Sequence, residues 1–177
     1  MHRRLRGFSL YELLLSLTLI AILVGLGVPA FSGITARARI SAEINALFHA
    51  LHVARKESVV RRQIVVLCPS VDGQRCAGGR DWSSGWIMFN DRDHDWPPQR
   101  RSGEPLLLTH IVADSVKITA NRGTFTLRST QKRATNGTLI VCDRAGRVAS
   151  KALVVSYTGR PRVATETTRG EPYRCAD

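Results

Sequence analysis

One uncharged, apolar stretch near the N-terminus limits what this chain can fold into. It runs from Leu13 to Ala36, consists mainly of Leu, Ile, Val, Ala and Gly, and follows three arginines within the first six residues. About 20 apolar residues suffice for a membrane-spanning helix, so the stretch is long enough for one span. The arginines would hold the N-terminus on the cytoplasmic side. Glu12, at the start of the stretch, predicts a partner, because an unpaired charge in lipid is costly.

The residues around this boundary resemble the signal of type IV prepilins. The matching residues are Gly7, Phe8, Ser9, Leu10 and Glu12, followed by the apolar stretch. The resemblance implies that a membrane prepilin peptidase cuts after Gly7 and that the new N-terminal residue, Phe8, is methylated. It also implies that Glu12, five places into the mature chain, pairs with the N-terminal amine of a neighbouring subunit during assembly.

Two simpler interpretations compete for the same segment. A cleaved secretory signal also has a basic start, an apolar core and a small-residue site, here Val28-Pro29-Ala30. However, Glu12 would interrupt that apolar core, and the apolar run is long for such a signal. A plain membrane anchor explains neither Gly7-Phe8 nor Glu12. We therefore favour the prepilin interpretation.

The rest of the chain is basic and long enough for one small domain. The sequence has 177 residues with 26 Lys and Arg against 14 Asp and Glu, a net charge of +12, and +9 once residues 1–7 are removed (12 − 3). About 115 residues follow the predicted helix, which is enough for one core. A basic excess outside the leader indicates a polyanionic partner such as nucleic acid, phospholipid head groups or acidic polymers.

Four cysteines beyond a membrane segment indicate disulfides in an oxidising compartment such as the periplasm. Three pairings are possible. We favour Cys68 with Cys76, because a loop containing Asp72-Gly73 can turn the chain back within that spacing. This leaves Cys142 with Cys175, which would fix the C-terminal tail to a strand. Zinc is the competing interpretation, but no C-x2-C or paired-histidine spacing supports it, and we predict no metal.

The predicted fold class is α+β, a long N-terminal helix packed on a small, mainly antiparallel β head. Between Arg37 and Arg62, apolar residues recur every three or four positions, which is typical of one stripe on a helix: Ile40, Ile44, Leu47, Phe48, Leu51, Ala54 and Val59. Glu43 falls on the polar face with the arginines. Strands are predicted at 63–68, 85–90, 106–112, 116–119, 124–128, 138–143 and 152–157. The predicted domains are a leader (1–7), a helix (8–62, spanning the membrane at about 10–31) and a head with a C-terminal tail (63–177).

The head also carries residues that resemble the FimT/GspH family. They are Leu67-Cys68, Asp72-Gly73, Trp82-x-x-Gly85-Trp86-x-x-Phe89-x-Asp91 and Gly103-Glu104-Pro105-Leu106-Leu107. Members of that family are minor pilins of type IV pili or pseudopilins of type II secretion. The resemblance implies a β-sandwich-like head on the N-terminal helix, other pilin subunits as partners, and the prepilin peptidase as processing enzyme.

An acidic run from Asp91 to Asp95 is the one candidate for cation binding. Alternate Asp residues in a loop can supply the oxygens that Ca²⁺ prefers. However, Trp96 stands where an EF-hand loop has glycine, and Ser102 stands where it has glutamate. We therefore interpret the run as a solvated loop. The sequence contains no nucleophile-elbow, H-E-x-x-H or Walker motif, so we predict no enzymatic activity and no cofactor.

The most informative short motif is Gly159-Arg160-Pro161-Arg162. Two guanidinium groups two residues apart can face the same way in an extended segment, and proline stiffens the backbone between them. Arginine suits phosphate because its planar fork donates two hydrogen bonds. The tetrapeptide resembles the G-R-x-R motif of the FimT branch, whose members bind DNA during natural transformation. Further cations would extend this surface: Lys132, Arg133, Arg144, Arg147, Arg169 and Arg174. We expect the Cys142–Cys175 bridge to hold the arginine segment against the sheet.

Two functional hypotheses follow. The first is a FimT-like minor pilin that binds the phosphates of double-stranded DNA without sequence preference. It would sit in the inner membrane with its head in the periplasm and then join a pilus at the cell surface. The second is a structural minor pilin or secretion pseudopilin that primes fibre assembly, for which the basic surface would be incidental. DNA retention by the purified head separates the two hypotheses.

Overall fold

The structure, a computed structural model, describes residues 9–129 and 134–175, and only the backbone of residues 27–30. The described ranges contain one helix, α1 (Leu10–Val60), and eight strands. The strands are β1 (Ile64–Pro69), β2 (Trp86–Asp91), β3 (Leu106–His110), β4 (Val116–Ala120), β5 (Phe125–Leu127), β6 (Gly137–Asp143), β7 (Lys151–Val155) and β8 (Pro161–Ala164). The chain divides into two units, residues up to Thr35 and residues from Ala36 onward.

In the first unit, Ser9 caps the start of α1. The backbone N–H of Glu12 donates to Ser9 Oγ at 3.2 Å, and the N–H of Leu13 donates to the Ser9 carbonyl at 3.1 Å. This satisfies donors that a helix start leaves unpaired, and Glu12 in the first turn suits the positive end of the helix dipole. The large apolar side chains described between Leu10 and Leu26 are all exposed. By length and composition, α1 can cross a membrane.

In the second unit, one face of α1 packs into the core. Ile40, Ile44, Leu47, Leu51 and Ala54 are at most 2% exposed, so the predicted stripe is the packing face. They share a single core cluster with residues of both sheets, including Leu67, Trp82, Leu139 and Leu153. The predicted stripe is wrong at its end, where Val59 is 41% exposed. Arg62, with φ 54°, follows the last helical turn, so the chain leaves the helix there.

Glu43 lies on the packing face, and its predicted position on the polar face is wrong. Its side chain is buried, with one carboxylate oxygen 2.8 Å from His110 Nε2. The other oxygen accepts the backbone N–H of Ala113 at 3.2 Å. A buried carboxylate is tolerated when it is hydrogen-bonded in this way. These partners come from chain positions 67 and 70 residues away, so helical periodicity could not show them.

The eight strands form two four-stranded antiparallel sheets. Their orders are β3-β2-β1-β5 and β4-β6-β7-β8. Along β6, buried and half-buried residues alternate, because one face of the second sheet covers the core. By contrast, all six residues of β2 are buried, since a second small cluster around Phe89 and Cys68 covers the other face of the first sheet. The α+β class predicted from the sequence is confirmed.

The sequence predicted seven of these strands and missed β8. This strand is short and begins with Pro161, which breaks the strand pattern that the sequence analysis relied on. It lies at the edge of its sheet, and proline is tolerated at the first residue of an edge strand. The residues after Val155 therefore form the loop and the second strand of a hairpin, and the tail begins only after Ala164.

Candidate nucleic-acid interface

The Gly-Arg-Pro-Arg motif forms the turn and second arm of the β7–β8 hairpin. In this hairpin, Val155 pairs with Pro161 and Val154 pairs with Arg162. The connecting loop is closed by its own backbone: Gly159 N–H donates to the Ser156 carbonyl at 2.9 Å, and Ser156 N–H donates to the Arg160 carbonyl at 3.1 Å. The Arg160 N–H donates to Ser156 Oγ at 3.2 Å. The motif is therefore part of an ordered hydrogen-bonded turn.

Gly159 fits this turn for two reasons. Its φ of +74° is one that residues with a side chain rarely adopt, and it is buried. A Cβ at this position would lie 2.7 Å from Leu127 Cδ1 and 3.3 Å from Ala134 Cβ. Pro161, two residues on, is buried as well. Gly159 and Pro161 thus pack the motif against the domain, while Arg160 and Arg162 remain at the surface.

Changing Gly159 to alanine is expected to destabilise the domain by about 2–4 kcal/mol, the sum of the positive φ and the overlap with Leu127. The matched control is Gly170→Ala, because Gly170 has φ +78° and no atom within 4 Å of the added Cβ. That variant should lose only about 1–2 kcal/mol. Urea unfolding of both variants measures the difference. Equal losses would show that Gly159 does not seat the hairpin through its contact with Leu127.

Arg160 and Arg162 are both exposed, and the ion pairs among the described residues include neither. Arg162 stands opposite Val154, which stands opposite Thr138, so these three residues share the outer face of the second sheet. Arg160 lies in the turn before β8. The sequence placed both arginines in one extended segment; the structure places one in a turn and the other in a strand.

One further basic residue, Arg55, borders this hairpin, and the sequence analysis did not single it out. Arg55 of α1 donates from Nη1 to the Arg128 carbonyl at 2.5 Å, and its Cδ lies 3.5 Å from the position of a Gly159 Cβ. The backbone N–H of Ala134 donates to the Tyr157 carbonyl at 2.9 Å. Lys132 and Arg133, both predicted to bind DNA, lie outside the described residues, but in sequence they directly precede Ala134.

Arg144 and Arg147 lie at the other end of the second sheet. They follow Asp143, whereas the hairpin loop lies beside Gly137, and the seven residues of β6 separate the two ends by roughly 20 Å. Arg147 donates from Nη2 and Nε to the two oxygens of Asp143 at 2.6 and 2.9 Å. It is therefore paired with a carboxylate, and the structure does not bring it together with Arg160.

The ion pair between Asp143 and Arg147 should make the stability of the fold depend on pH. Hydrogen bonds from the Arg147 side chain lower the pKa of Asp143 from 3.8 to about 2. Because the folded pKa lies below the unfolded one, the pair stabilises the fold above about pH 4, and this is lost as the pH falls towards 2. Asp143→Asn should cost about 1–3 kcal/mol at pH 7 and little at pH 2. Thermal unfolding between these pH values measures it, with the exposed Asp114→Asn as control; an equal loss at both pH values would contradict it.

Arg169 and Arg174 belong to the tail. Arg169 lies in a tight turn in which Gly170 N–H donates to the Thr167 carbonyl at 3.0 Å. Arg174 lines a shallow cavity of about 440 Å³ over β4, together with Arg80 and Lys117. These two cations were not predicted. The tail thus brings Arg174 to a surface that carries these two cations and the carboxylate of Asp81.

Two disulfides are formed, Cys68 with Cys76 and Cys142 with Cys175. The second connects the tail to β6, and Cys175 lies against the carbonyls of Lys117 and Ile140. Ser150 Oγ also donates to the Tyr173 carbonyl. The expectation that this bridge holds the arginine segment is wrong, because the ladder between β7 and β8 holds Arg162 directly. The bridge holds the residues after the strand.

The acidic run is engaged within its own loop. Oxygens of Asp91, Asp93 and Glu104 lie within 4.8 Å of one another. However, Asp91 accepts the N–H of His94 at 2.8 Å, and the two oxygens of Glu104 accept the N–H groups of Arg92 and Arg101. Burial raises the pKa of Asp91. The carboxylates therefore stabilise the loop by accepting hydrogen bonds from its backbone.

Gly7 and Phe8, the predicted processing residues, lie outside the described residues. Glu12 is exposed in the first turn of α1. Its pairing with a neighbouring subunit therefore stays a prediction.

Comparison with known proteins shows the family of this chain. Residues 43–159, about two thirds of the chain, match the family described as type II transport protein GspH. The chain belongs to this family of minor pilins and pseudopilins. Arg160, Arg162 and the tail follow the matched segment. No curated protein gives a significant match to the sequence.

Two solved structures have a similar fold. One is the type IV minor pilin FimU of Pseudomonas aeruginosa, with a TM-score of 0.55 and 19% identity over 81% of this chain and 99% of that chain. The other is the minor pseudopilin EpsH from the type 2 secretion system of Vibrio cholerae, with a TM-score of 0.50 and 11% identity over 71% of this chain and 96% of that chain. At these identities the likeness shows the fold alone: one long N-terminal helix on antiparallel sheets.

Proposed function

We propose that this chain is a FimT-like minor pilin that binds extracellular DNA and supports its uptake in natural transformation. The observation that carries the proposal is the β7–β8 hairpin. It presents Arg160 and Arg162 at the surface on a turn that is seated by buried Gly159 and Pro161. A fixed turn lowers the entropy that two arginines lose when they bind phosphate.

The proposed contacts are to the phosphate backbone of double-stranded DNA. Guanidinium groups donate two parallel hydrogen bonds to phosphate, and such contacts carry no sequence information. The net charge of +9 without the leader supports association with a polyanion over longer distances. Lys132 and Arg133, which precede Ala134 in sequence, would add further charge, and Arg174 with Lys117 and Arg80 would add a second contact area. Arg147 is the weakest member of the predicted set, since Asp143 occupies its guanidinium.

A second function, structural priming of a pilus or secretion fibre, is favoured by one observation. The segment that matches the GspH family ends at Gly159, immediately before the two arginines. Family membership therefore accounts for the head without them. Under this alternative, the hairpin arginines keep the surface soluble, and the partners are other pilin subunits alone.

Prepilin processing is part of the proposal. The prepilin peptidase would cut after Gly7 and release Phe8 for methylation, the helix would span the inner membrane at about residues 10–31, and the head would lie in the periplasm. Changing Gly7 to a bulky residue such as Leu should leave the precursor uncut, which mass spectrometry of the N-terminus measures. An N-terminus after Ala30 in the unchanged protein would identify a secretory signal and contradict the prepilin assignment.

A deletion in the host cell and the arginine double variant together separate the two functions. If the chain serves DNA uptake, its loss should abolish transformation and leave type II secretion unchanged, and Arg160→Gln with Arg162→Gln should reproduce the transformation defect while the protein still enters the fibre. If secretion fails and transformation is unchanged, the pseudopilin function replaces the proposed one. Fibre entry, followed by antibody against the head, is the control for assembly.

A further inference from the structure

A groove at the hairpin end of the domain combines an exposed indole with two arginines. It has a volume of about 420 Å³, within the roughly 300–1,000 Å³ typical of ligand sites. Trp96, Pro97 and Pro98 line it, together with Arg80 and Arg122. We call this surface the tryptophan groove. Trp96 is 82% exposed, whereas the other two tryptophans, Trp82 and Trp86, are at most 3% exposed.

The charges of this groove select an anion. No Asp or Glu is found among the described residues that line it. Asp95, next to Trp96 in sequence, is engaged by Arg101, whose Nη2 lies 3.1 Å from its carboxylate. A ligand that suits the groove therefore needs a flat apolar ring for the indole and negative charge for the guanidinium groups. A nucleotide with an unpaired base has both.

The groove is also connected to the hairpin. Residues 134–136 link the two: Ala134 N–H donates to the Tyr157 carbonyl in the hairpin loop, and Thr135 lines the groove. Arg122 Nε donates to the carbonyl of Asn136 at 3.2 Å. These contacts place the groove close to the hairpin loop.

We propose that the tryptophan groove binds unpaired bases of DNA, with one base stacked on Trp96 and phosphates held by Arg80 and Arg122. The proposal rests on the proposed DNA-binding function and gives it a substrate preference. Single strands and duplexes with single-stranded ends should bind more tightly than blunt duplexes, since a paired base has no free face for the indole. Stacking on an aromatic side chain tolerates any base, so the preference is for unpaired DNA and not for a sequence.

Tryptophan fluorescence tests the groove directly, because only one of the three tryptophans is exposed. The probes are a 20-nucleotide oligo-dT, a blunt 20-base-pair duplex and that duplex with a 10-nucleotide dT tail, each titrated into the full chain in a non-ionic detergent. Oligo-dT should quench the fluorescence. Trp96→Ala should abolish the quenching and weaken oligo-dT binding, followed by anisotropy of a labelled oligo, by roughly 5- to 150-fold.

Three further variants make the test decisive. Trp96→Phe should largely restore the anisotropy affinity, since it keeps an aromatic face. Arg80→Gln should reduce the slope of log affinity against log salt for oligo-dT by about 0.7. Trp96→Ala should leave blunt-duplex affinity unchanged, whereas Arg160→Gln with Arg162→Gln should lower it.

Unchanged oligo-dT affinity of the Trp96→Ala variant would overturn the proposal that the groove binds unpaired bases. An equal loss of affinity for the single strand and the blunt duplex would overturn it as well. Quenching by oligo-dT without any duplex binding would support the groove and reject the proposed duplex-binding function. The two proposals can therefore fail separately.

Discussion

Changing Arg160 and Arg162 together to glutamine is expected to weaken duplex DNA binding by roughly ten- to a hundredfold at about 0.1 M salt. Each lost phosphate contact should reduce the slope of log affinity against log salt by about 0.9, so the slope should fall by nearly two units. Between 50 and 200 mM salt, the unchanged protein should then lose about tenfold more affinity than the variant. Fluorescence anisotropy with two duplexes of unrelated sequence measures both quantities, and the two should agree.

The matched control is Arg37→Gln with Arg39→Gln. Both residues are exposed on α1, and the change removes the same two charges far from the hairpin in sequence. Arg39 donates to Ser115 Oγ at 3.1 Å, and Ser115 belongs to neither strand of the β7–β8 hairpin. The loss of this side chain is therefore not expected to disturb the hairpin. Equal losses in the two double variants would show that net charge governs binding. The fold of each variant is checked by its unfolding midpoint in urea.

Replacing Cys142 and Cys175 by serine is expected to lower the free energy of unfolding more than replacing Cys68 and Cys76. The bridge spans 33 residues, and the loop-entropy relation gives roughly 3–4 kcal/mol for a loop of this length. Without the bridge, residues after Ala164 would lose their covalent attachment to β6. Urea unfolding measures the free energy, and hydrogen exchange of the tail amides measures its release.

The Cys68–Cys76 pair is the internal comparison. It spans eight residues, for which the same relation gives roughly 2–3 kcal/mol. Because β8 is held by its ladder with β7, removal of the longer bridge should leave Arg160 and Arg162 in place and preserve most duplex affinity. Loss of affinity as large as in the arginine variant would show that the tail, and not the hairpin, carries the DNA contacts. A smaller loss of stability than in the short-loop variant would contradict the loop-length account.

The helix and most strands could be predicted from the sequence because their signals are local. The stripe of Ile40, Ile44, Leu47 and Leu51 repeats with the helical period, and packing needs only that one face be apolar. The exceptions have two different causes. Glu43 is buried because His110 and Ala113, 67 and 70 residues further along the chain, satisfy its carboxylate. The neighbouring strand β8 was missed because Pro161 interrupts the strand pattern, although β8 pairs with β7 directly before it.

The arginine motif of the candidate site could be predicted from the sequence, but the residues that surround it in the fold could not. Gly159 through Arg162 stand out as a basic tetrapeptide, but the reason for the glycine, a 2.7 Å approach to Leu127, depends on a strand 32 residues earlier. Arg147 is predicted as a DNA contact, and its pairing with Asp143 is a feature of the structure that the sequence analysis did not include. Trp96 appeared only as the residue that breaks a calcium-loop pattern. Its place in a groove with Arg80 and Arg122 results from three separate loops.

Direct titration of duplex DNA tests whether this chain binds DNA through its hairpin. The full chain, in a non-ionic detergent, is titrated with a labelled blunt duplex at several salt concentrations, alongside the Arg160→Gln, Arg162→Gln variant. Binding by the unchanged protein should weaken with salt, and its slope of log affinity against log salt should be steeper by nearly two units than that of the variant. Absence of duplex binding at low salt, or identical slopes for the two proteins, would contradict DNA binding through the hairpin.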